Sequence, residues 1–275
     1  FMNCKKLSKV TIPNSNVKMN IQSAVFLGCS SLKSINIPKQ VNKIGDGAFC
    51  CPNLAKITVD KNNKYFVSVK DVLYKAGKKY LLQYAPGKKD TRFTIPSTVK
   101  TMGVASFMYC KNLKSVTLPK SIKWIEQNNF AYCTNLETIV IPKSVTVVSP
   151  ESFYKCNKLK VVFYEGSKKQ WNKLDKSTET NLLKATVAYN GAKSAVALNT
   201  KSLTVKKGKT AQIKGSVYYK NGKVSKSVNY KTSNSKVATV NGKGKVTGKK
   251  KGTCYVTVSV KGNSKVYSKC KVVVK

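Results

Sequence analysis

A seven-residue phrase recurs along the first part of the chain. Phe26-Leu27-Gly28-Cys29-Ser30-Ser31-Leu32 returns as Phe107-Met108-Tyr109-Cys110-Lys111-Asn112-Leu113, as Phe130-Ala131-Tyr132-Cys133-Thr134-Asn135-Leu136 and as Phe153-Tyr154-Lys155-Cys156-Asn157-Lys158-Leu159. The phenylalanines at 107, 130 and 153 are 23 residues apart, as are those at 26 and 49. The copy at Phe1 precedes the next by 25, and the copy at Phe49 is one residue short, so that Cys51 takes the cysteine place. Each phrase runs on into an apolar alternation usually closed by proline, such as Leu32-Ile35-Ile37-Pro38 or Leu136-Ile139-Ile141-Pro142. Alternation at period two marks a short strand with one buried face, and proline removes the next backbone donor. A second apolar pair follows, for example Val41 and Ile44 or Ile122 and Ile125. One copy has too little apolar surface to fold alone. Stacked copies share a continuous core, with Phe, Cys, Leu and Ile pointing inward.

Copies of the form F-x-x-C-x-x-L-x-x-I-x-I-P-x-x-V-x-x-I resemble the leucine-rich repeats of the BspA type over about residues 1–165. The resemblance implies a curved parallel sheet with short helical turns and a binding rather than a catalytic role. Ser149-Pro150-Glu151 is expected to open a one-turn helix in the last copy. Residues 60–92 break the period. Their runs Tyr65-Phe66-Val67, Val72-Leu73-Tyr74 and Tyr80-Leu81-Leu82, with Gly77 and Gly87 in turns, predict one β-hairpin insertion. After Phe163-Tyr164 the pattern stops, and Ser167-Lys168-Lys169-Gln170 has the form of a capping box opening a short helix with Trp171 and Leu174. A C-terminal cap is therefore expected over about 166–190, closing a first domain of residues 1–190. Phe1 falls inside a repeat, so more chain is expected before it, and the lack of a signal peptide carries no information on secretion.

Residues 195–275 read as a second domain. From residue 191 onward there are twenty-one lysines and no Asp or Glu. Short alternating runs such as Ala211-Gln212-Ile213, Val237-Ala238-Thr239-Val240 and Cys254-Tyr255-Val256-Thr257-Val258 are separated by turns at Gly208, Asn221-Gly222, Asn241-Gly242 and Gly262-Asn263, which indicates a β-sandwich. The strings Tyr230-Lys231-Thr232-Ser233-Asn234-Ser235-Lys236-Val237-Ala238-Thr239-Val240 and Gly244-Lys245-Val246-Thr247-Gly248 resemble the bacterial immunoglobulin-like domain, group 2, in which Trp usually stands where this chain has Tyr230. Some relatives bind calcium, but a segment without carboxylates does not offer its usual ligands. The fold class is thus mainly β: a leucine-rich-repeat solenoid followed by an Ig-like β-sandwich.

Several function classes are excluded or disfavoured by composition. The chain has no histidine, which removes the commonest general base and most zinc and copper sites. Its ten carboxylates are scattered, with no pair spaced for acid–base work, so no catalytic residue, metal site or cofactor is expected. Asn241-Gly242-Lys243-Gly244 lacks the spacing of a phosphate loop and reads as a hairpin turn. No apolar run is long enough for a membrane helix. The charge is extreme, with 52 basic against 10 acidic residues and a formal net charge of +42. Arg92 is the single arginine, so the planar fork that reads base edges is nearly absent and no specific nucleic-acid partner is expected. Two readings of the lysines stay open: attraction to anionic polymers, or a plainly solvated surface.

Candidate ligand contacts lie on strand residues that point away from the core. One outward column holds Thr94, Thr117, Val140 and Phe163, and a second ends at Val161. Trp124, between Ile122 and Ile125, is expected at the surface. The apolar end of these columns is either a ligand patch or a face covered by the cap helix. Cys254 and Cys270 flank the Gly262-Asn263 turn and are candidates for a disulfide, with two buried free thiols as the alternative. The repeat cysteines are expected to form a buried column of free thiols. Together these features imply a non-catalytic, extracellular binding or adhesion region of a bacterial cell-surface or secreted protein. Its partner would be an extracellular protein or glycan, anionic polymers included. The alternative is an accessory targeting region of a larger secreted enzyme such as a wall hydrolase or peptidase. Nothing in the pattern specifies an oligomeric state.

Overall fold

The computed structural model describes residues 1–176 and 180–275. The chain divides into two compact units, Phe1–Ala185 and Thr186–Lys275.

In the first unit the alternating runs become parallel strands. Ser34–Ile37 pairs with Lys56–Val59, and Arg92–Thr94, Ser115–Thr117, Thr138–Ile141 and Val161–Tyr164 pair in succession. The register aligns equivalent repeat positions, so Ile35 meets Ile57 and Val116 meets Phe93 and Ile139. The second apolar pair builds a lateral ladder of shorter strands. Met19–Ile21 pairs with Val41–Ile44, and Trp124–Ile125 with Val147–Val148. The prolines sit at the corner between the two ladders, where the Pro38, Pro96, Pro119 and Pro142 carbonyls accept from Val41, Val99, Ile122 and Val145.

The phenylalanine segment makes a third set of contacts. Phe26 donates its N–H to the Ala48 carbonyl, Phe107 to Asn129 and Phe130 to Ser152. Rings of successive coils stack at centroid distances of 6.0 Å (Phe26–Phe49), 5.2 Å (Phe107–Phe130) and 5.3 Å (Phe130–Phe153). Full burial contributes roughly 1.5–3 kcal/mol per ring and each ring pair about 1 kcal/mol more. Free thiols form the buried column expected of them, except that Cys4 is exposed. They also bind across coils: Cys29 Sγ donates to the Phe1 carbonyl, Cys51 to Phe26, Cys133 to Phe107 and Cys156 to Phe130, at 3.0–3.1 Å. Beside them runs a buried polar row of Ser106, Asn129 and Ser152, in which Asn129 Nδ2 donates to the Gly103 carbonyl and to Ser106 Oγ.

The segment reverses direction at two left-handed positions, two residues before the repeat phenylalanines and, except in the shortened copy at Phe49, two residues after them. Ala24, Gly47, Ala105, Asn128 and Glu151 occupy the first, with φ between 54° and 66°, and Gly28, Tyr109, Tyr132 and Lys155 the second, with φ between 59° and 76°. This geometry overturns the one-turn helix expected at Ser149-Pro150-Glu151. Glu151 has φ 61°, which a right-handed helix does not allow. Helix among the described residues is confined to α1 (Lys168–Lys173) and α2 (Thr180–Lys184) in the cap.

The insertion folds as a meander of Phe66–Val69, Val72–Lys75 and Tyr80–Tyr84. Its last strand rejoins the solenoid, pairing in parallel with Thr101–Met102. Tyr84 then takes the phenylalanine place, stacking on Phe107 at 5.4 Å and donating its N–H to the Ser106 carbonyl. In this coil Gly87 stands where others have cysteine and Asp90 where others have leucine. The Tyr84 hydroxyl donates to Asp90 Oδ2 at 2.9 Å, and Lys88 forms ion pairs with Asp90 and Asp71.

The expected cap over 166–190 takes in residues 177–179, which lie outside the described residues. Around them, Ser167 and Gln170 form the capping box of α1, and buried Trp171 packs on Tyr164 at 5.2 Å. Asn181 in α2 donates from Nδ2 to the Phe153 carbonyl at 3.0 Å. It thereby makes the bond to the last phenylalanine segment that a cysteine makes in the coils before.

The second unit is an antiparallel sandwich. Asn263–Val274 pairs with Gly252–Val260 and, in parallel, with Ser202–Val205, and Val228–Thr232 extends that sheet. Ser194–Leu198 with Gly215–Tyr219, and Thr210–Gln212 with Lys245–Gly248 and Ala238–Val240, complete it around Ile213, Val217, Val246, Val256, Val258 and Val272. Tyr230 reaches into this unit and accepts the Gly215 N–H on its hydroxyl at 3.2 Å. Asn241-Gly242-Lys243-Gly244 is a hairpin turn: Asn241 Oδ1 accepts from Lys243 and Lys245 N–H, and a Cβ at Gly244 would lie 2.2 Å from the Ile213 carbonyl oxygen. The disulfide considered for Cys254 and Cys270 is not formed. Cys254 stands opposite Val272 and Cys270 opposite Val256, so the cysteines are diagonal neighbours and both thiols are free. Diagonal partners sit about 7–8 Å apart, beyond ordinary disulfide reach.

Candidate ligand-binding surface

The parallel register sets Thr94, Thr117, Val140 and Phe163 in one row and places Val161 at the end of the row beside it. Exposure divides them. Thr94 is exposed and Thr117 half-buried, whereas Val140, Val161 and Phe163 are 0–2 % exposed. The apolar end is therefore interior and presents no patch to a ligand. Trp171 of α1 meets Tyr164, which alternation places on the opposite face of the strand from Phe163. Trp124 is half-exposed, as expected, but stands on the lateral ladder opposite Val147 and not in the threonine row.

The structure reveals a further surface. A groove of about 660 Å³ opens beside the lateral ladder where the insertion enters. Asn20, Gln22 and Ser23 line it from the first lateral strand and its end, Asn42, Lys43 and Gly45 from the next, and Tyr65, Phe66 and Lys75 from the hairpin. Lys43 holds the same place in its coil as Trp124 does in a later one. Each wall has a local cause. Asn63 Oδ1 accepts the Tyr65 and Phe66 N–H groups, while its Nδ2 donates to the Pro38 and Val41 carbonyls, tying the hairpin to the corner of the preceding coil. Register places Lys75 opposite Phe66, and Lys75 Nζ lies 4.1 Å from the Tyr80 ring centroid. Asn42 Oδ1 is buried and has no hydrogen-bond partner among the described residues. The sequence marked the insertion but not this groove, because its walls come from three separate stretches of the chain, residues 20–23, 42–45 and 65–75.

Carboxylates are turned to structural use nearby. The Tyr80 hydroxyl donates to Asp46 Oδ1 at 3.3 Å, and burial together with the Asp46 charge pushes the phenol up to about 12. Burial, and then the Asp46 charge, also raises the Glu126 carboxyl. Burial likewise holds the Cys51 thiol protonated, pushed up to about 12. Among the described residues no group of three or more His, Cys, Asp or Glu is placed to hold a metal ion.

Stacked parallel coils with an inward Phe–Cys–Leu–Ile lattice, followed by an antiparallel sandwich, define a leucine-rich-repeat solenoid joined to an immunoglobulin-like domain. The profile of the BspA type leucine rich repeat region matches six copies over residues 1–69 and 86–186, more than half of the chain, and the chain belongs to that family. The bacterial Ig-like domain (group 2) matches residues 181–270. Both are families of repeat or binding modules, and nothing points to catalysis.

Among solved structures the chain is similar to the pneumococcal vaccine antigen PcpA, at 25% identity over 53% of this chain and 42% of that one, with a TM-score of 0.50. It is also similar to a leucine rich cell surface protein of Faecalibacterium prausnitzii (26% identity, 64% of each chain, TM-score 0.39) and to a leucine-rich repeat protein of Eubacterium ventriosum (28%, 50% of each, 0.35). The chain thus spans less than half of the pneumococcal antigen's length. No curated protein matches it. Among the described residues no helix is long and apolar enough to cross a membrane.

Proposed function

We propose that this chain is the non-catalytic binding region of a bacterial cell-surface or secreted protein, and that it adheres to anionic polymers of a host surface or cell wall. The observation that carries the reading is the charge: ten carboxylates cannot pair one-for-one with 52 basic residues. Some of those carboxylates are already engaged, with Asp71 and Asp90 on Lys88 and Asp46 on Tyr80. A surface with this excess of lysine attracts a polyanion and steers its association. The family membership and the likeness to a pneumococcal antigen support a place at the cell surface.

Retention on immobilised anionic glycans, teichoic acid and mucin at about 0.15 M salt, where the Debye length is about 8 Å, tests the proposal. The folded chain is expected to bind above an unstructured polypeptide of matched lysine content. Equal retention of the two would reduce the charge to a solvated surface and overturn the reading.

A further inference from the structure

We infer that the groove between the lateral ladder and the hairpin insertion is a saccharide site that takes an acidic sugar, a pyranose bearing a carboxylate. The inference rests on the anionic-polymer reading above and assigns it a place.

Four features of the groove converge on this ligand. Its volume, about 660 Å³, lies within the roughly 300–1,000 Å³ of small-molecule sites. Its two charged walls, Lys43 and Lys75, are both cationic, and no carboxylate lines it. The nearest acid in sequence, Asp46, takes the Tyr80 hydroxyl. Lysine is a point charge with three rotatable donors on a flexible stem, suited to a single carboxylate. Tyr65 is 41 % exposed at the rim, an amphipathic ring on which the apolar face of a pyranose can rest, and its backbone is fixed through Asn63. The remaining polar lining is neutral, with Asn20, Gln22, Ser23 and Asn42 supplying both donors and acceptors for hydroxyl groups.

A pyranose brings the hydroxyl groups that this neutral lining can pair with, and neither a bare phosphate diester nor an acidic peptide has a pyranose face to rest on Tyr65, so carboxylated sugar fits the lining better than either. The site also has a structural reason to exist where it does. The insertion interrupts the lateral ladder, with Val41–Ile44 paired back to Met19–Ile21 and Thr101–Met102 paired to the hairpin's last strand, and the groove occupies the interruption.

The test is calorimetric titration of the full chain with a hyaluronan tetrasaccharide, which carries both carboxylate and N-acetyl groups, and with its carboxyl-reduced neutral form, at physiological salt. Variants are Tyr65→Ala, the pair Lys43→Gln with Lys75→Gln, and a control pair, Lys249→Gln with Lys250→Gln, on the second unit. Melting temperatures confirm that each variant stays folded. The expected result is saturable binding of the acidic tetrasaccharide, at least tenfold weaker for the neutral form, for Tyr65→Ala and for the groove lysine pair, and unchanged for the control pair.

Binding that survives all the groove variants would overturn this site while leaving adhesion to anionic polymers intact. Loss in both lysine pairs alike would likewise reduce the interaction to general charge. If a polyglutamate peptide competes at equal affinity and Tyr65→Ala has no effect, the groove is a peptide site and the saccharide assignment fails. The absence of any acidic-glycan binding, on the immobilised polymers as in the calorimeter, would overturn both proposals.

Discussion

At the scale of single residues, the coil is held by groups whose roles depend on close approach. Gly87 replaces the repeat cysteine because the neighbouring coil is too near for a side chain: a Cβ there would lie 2.5 Å from the Asn53 carbonyl carbon and oxygen. Gly87→Ala should therefore cost about 1–3 kcal/mol of stability. Gly77→Ala, with φ 79° but nothing within 4 Å, should cost only the left-handed strain of about 1 kcal/mol. Chemical denaturation of the two variants separates these causes. The buried thiols set a pH limit. Cys51 is raised from 9.0 to about 12, so the folded state keeps a proton that the unfolded state loses. Its contribution is fully present below pH 9 and is lost as the pH rises from 9 toward 12. Denaturation midpoints should fall across that window, and Cys51→Ala should flatten the fall. The cysteine column was legible in the sequence from its spacing. The acceptor of each thiol, a carbonyl one coil back, was not, because spacing gives position and not direction.

At the scale of elements, the strands, the start of α1 and the hairpin turn at Asn241-Gly242 were readable, while the chain reversal at Ser149-Pro150-Glu151 was not. Alternation located the strands and their register, since a slip by one residue would turn every Ile and Leu outward. The capping box Ser167–Gln170 located α1. Ser149-Pro150-Glu151 has the chemistry of a helix start, but the stacking of flanking coils imposes a left-handed Glu151, and tertiary geometry wins over local propensity. The same limit applies to Cys254 and Cys270: near-equal distance from a turn suggested opposition, but the register pairs Cys254 with Val272 and Cys270 with Val256, which leaves the two cysteines diagonal. Within the cap, Asn181 binds the Phe153 carbonyl at 3.0 Å and is half-buried. Asn181→Ala is expected to lower stability by about 1 kcal/mol in thermal melts. The exposed Asn53→Ala, which removes a 2.8 Å bond to the Ser30 carbonyl, should change it by less.

At the scale of the whole molecule, the fold class followed from one period and the location of the groove did not. Repetition makes each coil's environment a copy of its neighbour's, so a single pattern determines most of the interior. The groove arises where repetition fails, and its walls meet through the path of an insertion that no local pattern encodes. The cap carries a consequence for growth. Stacked parallel coils leave bonding groups on the last coil that invite another, and such an end is a template for open-ended assembly. By offering its side-chain amide to the Phe153 carbonyl, Asn181 occupies a berth that an incoming coil's thiol would need. A highly charged, repetitive protein is thereby denied one route to becoming a fibre.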